Sequence, residues 1–267
     1  MILVIDIGNT NITAAIFRDD SIVFDFRLAT DKNKSADEYF ISIKSIIENA
    51  HIQISEIINV VVCSVVPAID QQIELTFNKY FKISPYFIKV QKNIRFNINI
   101  DVDNPEEIGA DRITNAEYCA LNHKGKNVIV IDFGTATTFD VVLKNGSYTG
   151  GIIAPGIALS AKALFETAAK LFPVNYDILP EKIIGKNSRD AMISGIVNGY
   201  VAMIEGLFDR IIESTGIRDW LIIATGGFSN IFQKLTNRID IIDDKITLKG
   251  AKLIFENNLP NLKGFEN

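Results

Sequence analysis

One pattern occurs twice in this chain, and few folds accommodate it. Residues 4–11 read Val-Ile-Asp-Ile-Gly-Asn-Thr-Asn, and residues 130–137 read Val-Ile-Asp-Phe-Gly-Thr-Ala-Thr. In each, an apolar strand reaches an Asp, passes one apolar residue and turns at a Gly into a polar run. The repeat puts Asp6 opposite Asp132 and Gly8 opposite Gly134. Strands are predicted at Ile2–Asp6, Thr13–Phe17 and Ile22–Ala29, and again at Val128–Asp132, Thr138–Leu143 and Tyr148–Ile153. A helix follows each triplet, Ala36–Ala50 in the first case and a helix opened by Pro155-Gly156 and running to Ala169 in the second. The recurring order argues for a duplicated α/β fold with halves 1–124 and 125–267, whose two hairpins face one cleft.

The remaining elements fit that frame. Ser35 is the expected N-cap of the first helix, whose apolar stripe is Ile41, Ile43, Ile46 and Ile47. Asn59–Ser64 reads as a buried strand, Pro67 as the first residue of a helix, and Tyr86–Val90 as a further strand. Asp101–Gly109 is a loop and Ala110–Asn122 a helix. A long helix is expected over Ser188–Ser214, with Gly195, Gly199 and Gly206 spaced for close packing. Leu221–Ala224 is a strand leading through Thr225-Gly226-Gly227 into a helix, and Ile246–Glu256 is the last helix.

The chemistry follows from the turns. In Asp6-Ile7-Gly8-Asn9-Thr10-Asn11, the Gly lets backbone approach a phosphate closely, and successive N–H groups form an anion-binding concavity. A carboxylate ending a strand, Asp6, can hold Mg2+ directly or through water. Gly and Asn are also ordinary turn residues, so one copy alone is compatible with a plain hairpin. The second copy offers Thr135, Thr137 and Thr138 as hydroxyl donors beside Asp132. Neither copy is a Walker loop, because no Gly-Lys-Ser/Thr follows. Gly109-Ala110-Asp111-Arg112 opens a helix with an acid that can accept a hydroxyl proton and a base that can neutralise an anionic group. The same pair is also a favourable helix-start charge with an ion pair. Gly226-Gly227 leaves room for a flat ring near a helix start.

Composition narrows the partners. With 48% apolar and 22% charged residues and a net charge of −5, the chain reads as a globular protein without a general nucleic-acid-binding surface. Its continuous apolar runs fall short of the roughly 20 residues that cross a bilayer, so no membrane association is expected. The first residues read as a strand and not as a signal peptide. Cys63 and Cys119 lie in apolar surroundings and are expected to be reduced, as in a cytoplasmic protein. Two histidines, His51 and His123, are too few for a histidine metal cluster.

Taken in order, Asp6–Asn11, Gly109–Arg112, Asp132–Asp140, Gly150–Gly156, Gly185-Lys186-Asn187 and Ala224–Gly227 resemble the type III pantothenate kinases of the acetate and sugar kinase/Hsc70/actin superfamily. The resemblance covers essentially the whole chain. It implies a ribonuclease H-like (actin-like ATPase) fold, duplicated, with two mixed five-stranded sheets and flanking helices around a nucleotide cleft. It implies ATP-dependent phosphorylation of pantothenate, which opens coenzyme A biosynthesis. Carried over residue by residue, Asp6, Ile7, Gly8, Asn9, Thr10, Asn11, Ile12 and Thr13 hold the ATP phosphates with Thr135, and Gly226 and Gly227 take the adenosine. Asp111 is the general base, and Gly109, Ala110, Asp111 and Arg112 contact pantothenate. Asp132 matches the ligand of a monovalent cation, K+ or NH4+, required beside a divalent metal held by Asp6. The family's homodimers complete the pantothenate pocket across the interface.

Three positions depart from the family's pattern. Ser188 stands where the segment after Gly185-Lys186-Asn187 usually has Thr, which keeps the hydroxyl. Val102 stands where many members have a substrate-touching Tyr, which removes a hydrogen-bonding group and bears on affinity more than on chemistry. Asp244–Ala251 lacks the family's Pro. Two other functions fit the superfamily: a small sugar or polyol kinase, and a non-catalytic regulatory homologue or filament former. The short Gly109–Arg112 segment argues against the first, and the presence of Asp6, Asp111 and Asp132 together argues against the second.

Overall fold

A computed structural model describes residues 1–91, 93–168, 170–177 and 179–262. The chain forms two compact units. One comprises Met1–Asn122, Gly146–Tyr148 and the chain from Lys245 on; the other comprises His123–Asn145 and Thr149–Asp244.

The first unit is built on a sheet ordered β3-β2-β1-β4-β5. Its strands are β1 (Ile2–Ile7), β2 (Asn11–Arg18), β3 (Ser21–Ala29), β4 (Asn59–Ser64) and β5 (Tyr86–Phe87). β1 runs antiparallel to β2 and parallel to β4. Because side chains alternate along a strand, the two faces have different contents. Leu3, Ile5, Ile7, Val60 and Val62 point into an aliphatic core with Tyr39, Ile43 and Ile47 of α1 (Ala36–Asn49) and Ile69 and Ile73 of α2 (Pro67–Thr76). Val4, Asp6, Val61 and Cys63 belong to the opposite face, where α3 (Ala110–Asn122) packs on β4.

Helix starts follow the sequence signals. Ser35 caps α1 in a capping box with Glu38, and Pro67 occupies the first turn of α2. Two expectations fail locally. Ile41 is 64% exposed, since the buried stripe of α1 is Ala36, Tyr39, Ile43 and Ile47 at helical spacing. The strand expected over Tyr86–Val90 is in register with β4 at Tyr86 and Phe87, and its last bond to β4 is from Ile88 N–H to the Val62 carbonyl at 2.9 Å.

The second unit repeats the plan. Its sheet is formed by β7 (Asn127–Phe133), β8 (Ala136–Val142), β9 (Ser147–Pro155, of which Ser147 and Tyr148 are grouped with the first unit), β10 (Trp220–Thr225) and β11 (Ile241–Ile242); the short β6 (Asn99–Ile100), also of the first unit, precedes them in the chain. The order β9-β8-β7-β10-β11 matches β3-β2-β1-β4-β5 strand for strand. This sheet has six strands and not five, because β6 pairs with Ser147 and Tyr148 at the start of β9. Ile129, Ile131, Phe133, Phe139, Val141 and Ile222 form the core with α4 (Ile157–Thr167), α5 (Ser188–Thr215) and Phe232 of the short α6 (Ser229–Phe232). Ala169, the expected end of α4, lies outside the described residues.

Among the described residues α5 is the one helix whose length and apolarity would suffice to cross a membrane. Packing accounts for that composition: Met192, Ile193, Ile196, Val197, Tyr200, Ile204, Phe208 and Ile211 are all buried. The glycines of α5 are not part of that packing. A Cβ built on Gly195, Gly199 or Gly206 meets no atom within 4 Å. The last helix, α7 (Ile246–Leu262), belongs to the first unit and packs on α3, β1 and β4. Gly250 lies so close to the Thr114 carbonyl that any side chain there would overlap it.

Candidate active site

The two Asp-x-Gly turns share a cross-strand environment. Asp6 of β1 stands opposite Thr13 on the antiparallel strand and Cys63 on the parallel one. Asp132 of β7 stands opposite Thr138 and Thr225 in the same two senses. Each carboxylate therefore lies between a Thr and a second hydroxyl or thiol, on the face away from its main aliphatic core. The turns differ in length. Gly8 N–H donates to the Asn11 carbonyl at 2.9 Å, whereas Gly134 N–H donates to the Ala136 carbonyl at 3.1 Å, so the first turn holds one more residue.

In the first unit, Asn9, Thr10 and Asn11 are exposed at the tip of the β1–β2 turn, and Ile12 is buried beneath it. Thr30 fixes the turn: its hydroxyl donates to the Gly8 carbonyl at 2.6 Å and its N–H to the Thr10 carbonyl at 3.0 Å. Gly8 does not occupy the left-handed backbone region. Its constraint is space, since a Cβ there would stand 3.3 Å from the Asn11 carbonyl.

Asp111 sits in the first turn of α3. Its Oδ1 accepts the N–H of Arg112 at 2.8 Å. Burial pushes its carboxyl above the ordinary aspartate value, while the Arg112 N–H and the Arg112 charge pull it back down. Cys63, fully buried on β4, feels the charges of both Asp6 and Asp111 and shares a side-chain hydrogen bond with Asp6. Burial, with those two charges, pushes the Cys63 thiol up, so it stays a neutral S–H group. Asp6 and Asp111, which are far apart in sequence, thus both act on one buried thiol. Gly109 and Ala110 precede Asp111, and Val102 lies in a bend of the preceding loop.

In the second unit, Asp132 is enclosed by glycines. A Cβ on Gly226 would stand 2.5 Å from Asp132 Oδ1 and 2.7 Å from the Phe133 backbone, and one on Gly134 would be 3.5 Å from the same Oδ1. Gly226 also has a φ of +88°, which favours glycine. Its requirement is therefore contact with the β7 turn. The open position is Gly227, whose Cβ would meet nothing within 4 Å. Thr135 is exposed; Gly156, the N-cap of α4, lies against the Gly134 and Thr135 carbonyls without room for a side chain. Thr137 and Tyr200 share a buried hydroxyl–hydroxyl hydrogen bond. Ser188 is exposed at the start of α5, beside Asn187, whose side chain accepts the Asp190 N–H at 2.9 Å. A cavity of about 400 Å³ next to it is lined by Leu179, Lys182, Ile184, Lys186, Arg189 and Ile193.

Residue patterns alone did not single out Thr114 or Tyr200, and gave Cys63 no part in the site. Cys63 read as a core residue, and its proximity to Asp6 and Asp111 depends on strand register and helix packing. Gly156 was read as a helix opening, and the structure adds its contact with the Gly134 and Thr135 carbonyls.

Comparison with known proteins agrees with this geometry. The family model for type III pantothenate kinases matches residues 2–210. A type III pantothenate kinase from Halalkalibacterium halodurans is 40% identical over 259 residues, covering 97% of this chain and 100% of that protein. One from Agathobacter rectalis is 40% identical over 264 residues, covering 99% of each. Among solved structures, component A of (R)-2-hydroxyglutaryl-CoA dehydratase from Acidaminococcus fermentans superposes with a TM-score of 0.54 at 16% identity, covering 96% of this chain and 98% of that one, a likeness of fold. With two sheets of matching strand order and a family match over residues 2–210, the chain belongs to the type III pantothenate kinases.

Proposed function

We propose that Asp111 is the general base with which this type III pantothenate kinase phosphorylates pantothenate from ATP. The observation that carries this reading is the setting of Asp111: half-buried in the first turn of α3, oriented by the Arg112 N–H, with a carboxyl raised by burial. A raised carboxyl is a better proton acceptor than a free aspartate. Asp111 takes the proton of the substrate's primary hydroxyl. The hydroxyl oxygen bonds to the γ-phosphorus, the bond from that phosphorus to its bridging oxygen breaks, and ADP leaves with the electron pair. Such transfers need alignment and charge neutralisation more than covalent help.

The other roles are proposed with it. Asp6, Ile7, Gly8, Asn9, Thr10, Asn11, Ile12 and Thr13 hold the ATP phosphates, with Thr135 as a further contact. The exposed tip at Asn9–Asn11 supports this. Gly226 and Gly227 serve the adenosine, and the open face at Gly227 suits a flat ring. Among the described residues, no group of three or more His, Cys, Asp or Glu could hold a metal ion. A Mg2+ bound mostly by phosphate oxygens and water needs only one or two carboxylates, which Asp6 satisfies. When bound, that ion neutralises phosphate charge. Asp132, in its glycine-lined recess, is proposed for K+ or NH4+.

Gly109, Ala110, Arg112, Val102 and Ser188 are proposed as pantothenate contacts, Ser188 acting on the pocket of a second subunit in a homodimer. Exposed Ile183 and Ile184, at 70% and 78%, and the open glycines of α5 support such an interface. Two buried free thiols support a cytoplasmic setting. Residues 1–124 and 125–267 are proposed as the duplicated halves, supported by the matching strand orders.

The test is a coupled ADP-release assay with pantothenate, with and without K+, and against a panel of sugars. Wild type should release ADP with pantothenate and be stimulated by K+. Asp111→Asn should keep its thermal transition and lose about 100-fold or more in kcat. Full activity in Asp111→Asn removes the base assignment.

A further inference from the structure

Two buried side chains between Asp6 and Asp111 have no role in the account above. Cys63 and Thr114 are both fully buried, in β4 and α3. Cys63 Sγ lies 3.8 Å from Thr114 Oγ1. Thr114 Oγ1 also contacts the Ala110 carbonyl at 2.8 Å and the Asp111 carbonyl at 2.7 Å.

Counting protons fixes the direction of this network. A threonine hydroxyl has one proton, and carbonyl oxygens only accept, so Thr114 donates to the first turn of α3. Its oxygen then has a lone pair facing the thiol. The thiol's one proton has two acceptors, the Thr114 oxygen and the carboxylate of Asp6, with which Cys63 is in register across β1 and β4. With the thiol proton shared between its two acceptors, a chain of contacts runs from the Asp6 carboxylate through Sγ and Oγ1 to the backbone of Asp111 itself. From behind, the backbone of Gly250 in α7 lies against the Thr114 carbonyl with no room for a side chain between them.

We propose that the Cys63–Thr114 pair is a positioning bridge, which sets the backbone of Asp111 at a fixed place relative to Asp6. This rests on the reading of Asp111 as base and Asp6 as a phosphate-side residue. Neither bridge residue touches substrate. They hold the two acids in one geometry, and phosphoryl transfer is sensitive to such alignment: a misplacement of about 1 Å can cost about 100-fold.

The experiment is steady-state kinetics on purified full-length Thr114→Val, Thr114→Ser, Cys63→Ala and Cys63→Ser, with thermal transitions for each. Thr114→Val keeps the shape and removes the hydroxyl. It should lower kcat by about 10- to 100-fold, with KM for ATP and pantothenate changed less than about threefold. Thr114→Ser, which keeps the hydroxyl, should restore most of kcat. Cys63→Ala should fall and Cys63→Ser should recover in the same way. Cys63→Ala and Thr114→Val combined should cost less than the product of the two single losses.

In an Asp111→Asn background, Thr114→Val should cause little further loss of kcat, because it acts through Asp111. Additive losses there, or single variants within about twofold of wild type in kcat, overturn the bridge. If Thr114→Val fails to fold, the Cys63 pair of variants decides by the same criteria. Wild type without pantothenate-dependent ADP release would instead overturn the functional reading, so the two failures are separable.

Discussion

Oδ1 of Asp111 occupies the space that a side chain on Gly109 would need: a Cβ built there stands 2.5 Å from it. The same oxygen accepts the Arg112 N–H, so the carboxylate folds back over the start of its own helix. Gly109 is not in the left-handed region. Its absent side chain is what lets Asp111 adopt this position.

Gly109→Ala is therefore expected to displace the carboxylate without unfolding the protein. The obstructing atom is the end of a flexible side chain, which can turn away at low cost in stability. The expected result is a thermal transition within a few degrees of wild type and a loss in kcat of about tenfold or more. Unchanged kcat would show that the observed carboxylate position is not the one used in catalysis.

Gly226 and Gly227 should behave differently although they are adjacent. At Gly226 an added Cβ meets the backbone of Phe133, which cannot move cheaply, and φ is +88°. Gly226→Ala is expected to cost about 1–3 kcal/mol or more in urea unfolding. Gly227→Ala meets no neighbour and should stay within about 0.5 kcal/mol of wild type. Any effect of Gly227→Ala should then be seen in KM for ATP. Equal stability losses at the two positions would contradict the packing described for Gly226.

Glu117 offers a stability prediction with a definite sign. Its side chain is fully buried and accepts N–H groups of Asn97 and Ile98, with the closest contact from Asn97 Nδ2 at 2.6 Å. Burial raises its carboxyl above the ordinary glutamate value, and the hydrogen bonds from Asn97 and Ile98 only partly offset this. A group raised on folding stabilises most below its unfolded value, and that contribution is lost as pH rises through the folded value. Glu117→Gln carries a pH-independent cost from setting an amide against N–H donors. On top of it, the gap between wild type and variant should shift toward the variant as pH rises from about 4, near the glutamate reference, to 7. Urea unfolding at four pH values measures this; a shift in the opposite direction would mean that the hydrogen bonds outweigh burial.

Particular residues show how far sequence reasoning reached. The boundaries of Asn59–Ser64 and Ala110–Asn122 were legible, since apolar runs and helix starts are local signals. Ile41 misled because it lies in a run of isoleucines, while the buried face was set by Tyr39, which also bonds to the Asp31 backbone. Tyr86–Val90 looked like a strand because β propensity is local, but strand length depends on how much of a partner is available. The doubled Asp-x-Gly pattern correctly indicated matching sheets. It could not show that one turn is a residue longer, because hairpin length is decided by which residues pair across the strands.

Spacing along the chain was enough to show that one strand plan occurs twice and that three acids, Asp6, Asp111 and Asp132, stand at strand or helix ends. Those features depend on spacing along the chain, which hydrophobic periodicity and turn residues make visible. What surrounds each acid follows from contacts between distant segments. Cys63 reaches Asp6 through parallel strand register, and Thr114 reaches Cys63 because α3 packs on β4. Gly226 reaches Asp132 because β10 lies beside β7. These contacts join residues far apart in the chain, and their geometry is set by packing that no local signal encodes.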